Sequence, residues 1–182
     1  VSTAAITYVD AAPANTTLAN GNAYTPTASL INNDNEWSSR TLGNGATVYT
    51  ANDSNANPGE DAPLIRTTLS GLTAGATYEV YVFFWGAGND APTGNQRWDI
   101  QAGLSAGTLT FYDTQNAVNL GHASTGVNPA TYFTNSSPTV IVSEVDRRLY
   151  QISLGATTAS LSGEIQIFVD DVPGNVNRTW YD

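Results

Sequence analysis

The chain has 182 residues, six basic against sixteen acidic, a formal net charge of −10 and a pI of about 4.1, with no Cys, no Met and no Lys. These absences exclude a thiol nucleophile, a Cys-ligated metal and a Lys Schiff base, and leave His122 as the single imidazole for any His-based chemistry. The acidic balance argues against nucleic acid, whose affinity rests on Lys and Arg neutralising phosphates, and no apolar run approaches the roughly 20 residues of a membrane-spanning helix.

At 19.2 kDa the chain fits one domain over residues 1–182. It opens at Val1 without a basic, apolar leader, so a processed protein or one module of a larger secreted protein is expected.

Helix signals are nearly absent, and period-two apolar patterns recur between Gly, Asn, Asp and Pro clusters, the pattern of an antiparallel β-sandwich or barrel, of which the sandwich is expected here. In chain order the predicted strands are Ala4–Asp10, Thr47–Thr50, Leu64–Leu69, Thr77–Trp85, Arg97–Ala102, Gly107–Tyr112, Thr139–Ser143, Leu149–Leu154 and Glu164–Asp170. Predicted turns fall at 19–22, 43–45, 70–75 and 173–175, and residues 113–137 read as a long polar loop holding His122 and one short strand or turn near Tyr132.

Alternation along Thr77–Trp85 places Tyr78, Val80, Val82 and Phe84 on one face and Glu79, Tyr81, Phe83 and Trp85 on the other. The first face suits a core. The second offers Tyr81 and Trp85 as a stacking surface for a pyranose, whose C–H-rich side is apolar and whose hydroxyls stay free for hydrogen bonds. On the next strand Arg97, Asp99 and Gln101 share a face, supplying donors and acceptors that match vicinal hydroxyls, and Trp98 and Ile100 share the other. Trp37 and Trp180 stand among polar neighbours, so the candidate ligand-binding set is Trp37, Tyr81, Trp85, Arg97, Trp98, Asp99 and Trp180.

Two acidic groupings are candidate cation sites. The run from Asp53 to Asp61 alternates oxygen-bearing side chains but departs from a calcium loop at Gly59 and at Leu64. Asp10, at the end of the first predicted strand, and Asp170 and Asp171, at the end of the last long one, would repel strongly without a hard cation if the terminal strands lie together.

Ile6-Thr7-Tyr8-Val9-Asp10, the stretch Ala74-Gly75-Ala76-Thr77-Tyr78-Glu79-Val80-Tyr81-Val82, and Ser162-Gly163-Glu164-Ile165-Gln166-Ile167-Phe168-Val169-Asp170-Asp171 together resemble the galactose-binding-like jelly rolls among carbohydrate-binding modules, the calcium-containing type appended to bacterial glycoside hydrolases and polysaccharide lyases. The resemblance implies a jelly-roll sandwich in an extracellular protein, tethered to a catalytic domain. It implies structural calcium at Asp10 with Asp170 or Asp171, and a polysaccharide or oligosaccharide partner bound without bond cleavage. Two alternatives stand beside it. One is a structural or adhesion module of a bacterial surface protein. The other is a glycan-degrading enzyme using two carboxylates among Glu36, Glu60, Asp61, Glu79 and Asp99.

Overall fold

A computed structural model of the protein describes residues 8–28, 35–41, 47–52, 61–87, 97–122, 147–172 and 177–182. Among them the chain is all-β, with eleven strands and no helix, and so no helix long and apolar enough to cross a membrane. The strands are β1 (Thr16–Leu18), β2 (Ser38–Thr41), β3 (Thr47–Asn52), β4 (Ile65–Leu69), β5 (Thr77–Ala87), β6 (Arg97–Gly103), β7 (Thr110–Asp113), β8 (Val118–His122), β9 (Arg147–Thr158), β10 (Ile165–Asp170) and β11 (Asn177–Tyr181).

These strands form one curled sheet with the order β1-β4-β10-β6-β11-β5-β9-β8, with β7 added beside β6 and β3 and β2 added beside β11. β6 is the joint. Its residues 99–103 pair antiparallel with β7 and β10, whereas Arg97 and Trp98 pair parallel with Asn177 and Arg178 of β11. The sheet is therefore mixed, which corrects the wholly antiparallel arrangement expected from the sequence. The reason is directional: β10 runs against β6, and β11 runs opposite to β10, so it travels with β6.

The period-two reading of β5 holds in burial. Val80, Val82 and Phe84 enter a large core with Tyr49, Ile65, Ile100, Ile152, Ile167, Val169 and Tyr181. On the opposite face Glu79 and Tyr81 are exposed, and Phe83 and Trp85 enter a second core with Val48, Trp98, Leu149 and Trp180, against which Tyr8 packs. Adjacent residues of β3, β9 and β11 split the same way: Val48, Leu149 and Trp180 join the second core, while Tyr49, Tyr150 and Tyr181 join the first. The sheet is thus buried on both faces at this end, and the aromatic pairs in β5 and β11 exist because each face needs its own apolar cover.

Candidate acidic site and the fate of the aromatic residues

Three carboxylates converge at one end of the β4–β10 pair. Asp61, Asp170 and Asp171 each offer an oxygen, and these oxygens lie within 4.8 Å of one another. Antiparallel pairing accounts for the meeting: Ile65 at the start of β4 stands opposite Val169, so the segment entering β4 runs beside the end of β10. Asp61 lies in that entering segment, with its backbone N–H donating to Asn35 Oδ1 at 3.1 Å, while Asp170 closes β10 and Asp171 follows it. The Gln101 amide donates to the backbone carbonyl of Asp171 at 3.4 Å, tying the residue after β10 to β6.

The electrostatics of the site are unfavourable for three bare charges. Burial pushes the Asp170 carboxyl up to about 6, the nearby Asp61 charge adds to the rise, and a hydrogen bond from the Asp171 backbone opposes it. Asp170 Oδ1 is buried and receives no hydrogen bond. Such a cluster either shares protons or holds a hard cation, and an all-oxygen carboxylate set is the donor chemistry that calcium takes.

Asp10 is not among these three. Residues 8–10 form no strand, and the Asp10 charge instead bears on Tyr8, Tyr49, Tyr181 and Asp182. The structure thus brings together Asp170 and Asp171 as expected, and supplies Asp61 where Asp10 was expected. Asp61 belongs to the other acidic run noted in the sequence. What the sequence does not show is that the two runs are neighbours, since that requires the pairing of β4 with β10.

The four indoles expected to face a sugar are all enclosed: relative exposure is 0% for Trp37, 2% for Trp85, 6% for Trp98 and 1% for Trp180. Each is held by specific contacts. Trp37 Nε1–H donates to the Pro63 carbonyl at 2.8 Å, and Trp85 Nε1–H donates to Asp182 Oδ2 at 2.7 Å. Trp98 and Trp180 meet edge to face at 5.0 Å, with the Arg178 guanidinium over the Trp98 ring at 5.5 Å. A stacking platform built on these indoles is therefore not formed, because covering both faces of the sheet takes all of them into the cores. Asp99 is likewise buried, opposite Asp113, and is not available at a surface.

Tyr81 alone of the aromatic candidates is open, at 42% exposure, with Ser153 directly across on β9 and exposed Glu79 two residues away on its own strand. The Arg97 side chain and the predicted strands and turns over 1–7, 43–45, 139–143 and 173–175 and near Tyr132 lie outside the described residues, as does Glu60. Between the end of β9 and the start of β10 lies a cleft of about 380 Å³ lined by Thr157, Thr158, Ser160, Ser162, Glu164 and Gln166 over Leu104 and Ile165.

No family model, no curated protein and no solved structure matches the chain.

Proposed function

We propose that the chain is a non-catalytic, jelly-roll-like module of an extracellular protein, with a structural divalent cation, calcium by donor chemistry, held by Asp61, Asp170 and Asp171, and that it serves a structural or adhesive role. The observation that carries this reading is the convergence of three carboxylate oxygens within 4.8 Å, one of them on a partly buried Asp170 whose Oδ1 has no hydrogen bond. A bound cation would pin the segment entering β4 to the end of β10. It would also offset the burial of the Asp170 carboxylate and relieve the repulsion from Asp61 that adds to it.

Calcium should raise the melting temperature and EDTA should lower it, and Asp170→Asn should abolish both responses. Because protons compete for a carboxyl that titrates near 6, the calcium response should fade as pH drops through about 6. Indifference of the parent protein to both calcium and EDTA at neutral pH would remove the cation from the proposal.

Glycan recognition survives in a narrower form, favoured by Tyr81, whose exposed ring is flanked by the Ser153 hydroxyl and the Glu79 carboxylate on the same sheet face. The net charge of −10 favours a neutral polysaccharide. Affinity electrophoresis against neutral polysaccharides should show retardation that Tyr81→Ala abolishes without lowering the melting temperature. Retardation unchanged in Tyr81→Ala would exclude this face.

A further inference from the structure

The cleft of about 380 Å³ between β9 and β10 lies along strand edges and not over a sheet face. Ile165 and Gln166 both line it, although Ile165 is buried on the core face of β10 and Gln166 is exposed on the opposite one, so the space runs beside the strand. Pairing shows how it arises. β4 covers one edge of β10 from Ile165 to Val169, but β6 covers the other only from Phe168 onward, because this pairing ends at Gly103 and the chain turns through residues 104–109 to place β7 on the far edge of β6. The first half of β10 thus has one strand neighbour among the described residues. The same holds for the end of β9, which β5 follows to Thr158 whereas β8 pairs no further along it than Gln151.

The slot between these edges carries one charge. Ser162 Oγ donates to Glu164 Oε2 at 3.0 Å and lies 2.8 Å from Ser160 Oγ, which accepts the Glu164 backbone N–H at 3.1 Å, so the turn between β9 and β10 holds the carboxylate in place. No basic side chain lines the cleft, and Glu164 has no ion pair among the described residues. Leu161, between the two serines, is 96% exposed. Backbone groups at strand spacing, an uncompensated carboxylate and an open leucine at the rim match a polypeptide in extended form better than a small polar ligand, which would leave the leucine and the strand edges unused. The uncovered stretch from Glu164 to Ile167 is about 13 Å long at strand rise, room for a short segment only.

We propose that this slot binds an extended, basic segment of a partner protein, which adds as a strand beside residues 164–167 of β10 with a Lys or Arg side chain at Glu164 and an apolar side chain against Leu161. Main-chain hydrogen bonds supply affinity, and the carboxylate and the leucine select the sequence. Charge sets the partner's sign: a chain of net charge −10 with an acid at its open edge repels a second copy of itself and attracts a basic segment. The inference rests on the adhesive role proposed above and gives it a partner class. It makes no use of the cation, since Asp61, Asp170 and Asp171 are not part of the cleft.

Selection of a displayed random heptapeptide library on the whole chain, with the Ser162→Arg protein as counter-target, tests it. Enrichment of β-branched sequences carrying Lys or Arg is expected on the parent and not on Ser162→Arg, whose guanidinium occupies the place of the ligand's cation. Synthetic copies of the enriched peptides should bind at least tenfold more weakly to Glu164→Gln, and at least tenfold more weakly to the parent when alternate backbone amides are N-methylated. Failure to enrich any peptide over the counter-target overturns the proposal, as does binding indifferent to N-methylation or to Glu164→Gln. Protection of residues 164–167 from hydrogen exchange by a neutral oligosaccharide, and not by the peptides, overturns it in favour of a sugar. Should either variant fail to melt as the parent does, the N-methylated peptides still decide, since they leave the protein unaltered. A calcium response without peptide binding sinks this inference alone, and peptide binding without a calcium response sinks only the cation.

Discussion

Trp37 illustrates how a polar sequence neighbourhood misleads about burial. Asn35, Glu36, Ser38 and Ser39 around it suggest a solvent-facing ring, yet Trp37 is fully enclosed, packed edge-on against Tyr49 at 6.4 Å and bonded to the Pro63 carbonyl. Its own backbone N–H donates to the Tyr24 hydroxyl at 2.9 Å, so the residue ties the 24–27 segment to the core. Trp37→Ala should therefore act on stability, costing about 3–5 kcal/mol in chemical denaturation through the cavity it leaves. A variant of unchanged stability would show that the indole is not the core residue described. At the same scale Asp61, a loop acid flagged for its neighbours in sequence, matters for a partner more than a hundred residues away.

At the scale of elements, β3, β4, β5, β6, β7, β9 and β10 all stand where the sequence pattern placed them, with ends moved by a few residues. β5 and β9 keep their faces in spite of a register shift between Val80 and Tyr81, where Leu154 is the extra residue and Gly155 takes φ of +90°. The predicted first strand is not seen at 8–10, and its remainder lies outside the described residues. The missed strands are β1, β2, β8 and β11. Each is short and rich in Thr, Ser, Asn or Arg, and β8 falls inside the stretch read as loop. Such segments become strands because a neighbour accepts their backbone groups, and their own side chains do not announce it.

Turns connect these elements under tighter constraints than composition conveys. Gly163 has φ of +72°, and its carbonyl accepts the Leu72 N–H at 3.0 Å, so the two turns interlock. A Cβ at Gly163 would sit 2.3 Å from the Leu72 carbonyl oxygen, whereas one at Gly71, with a similar φ of +75°, meets nothing within 4 Å. Gly71→Ala should cost about 1 kcal/mol, the left-handed penalty alone, and Gly163→Ala clearly more, as read from denaturation midpoints. Equal losses would mean that the Leu72 turn yields without resistance.

Across the whole molecule, β11 holds the curled sheet together by touching β3, β5 and β6. A buried hydroxyl chain reinforces it: Tyr181 OH donates to Thr67 Oγ1 at 2.8 Å, and Thr67 Oγ1 meets Thr16 Oγ1 at 2.9 Å, linking β11 to β4 and β1. Thr67 keeps its Thr16 partner when the phenol is removed. Tyr181→Phe should thus cost only about 0.5–1.5 kcal/mol, the net worth of one hydrogen bond, with the melting transition remaining single. A transition that splits in two would show that the hydroxyl chain itself couples the two halves of the sheet.

The sequence by itself determined the all-β class, the faces of β5, the pairing of Asp170 with Asp171 as candidate ligands, and the exclusion of thiol and Lys chemistry, since alternation and composition are local properties of the chain. Tertiary structure alone decided that β6 and β11 run parallel, that a second core takes in Trp85, Trp98 and Trp180, that Asp61 completes the acidic cluster, and that Tyr8 reaches Asp182. Each of these depends on which distant segments become neighbours. A period of two tells a strand's inner face from its outer one, but where both faces are covered it gives no sign of which aromatic residue meets water.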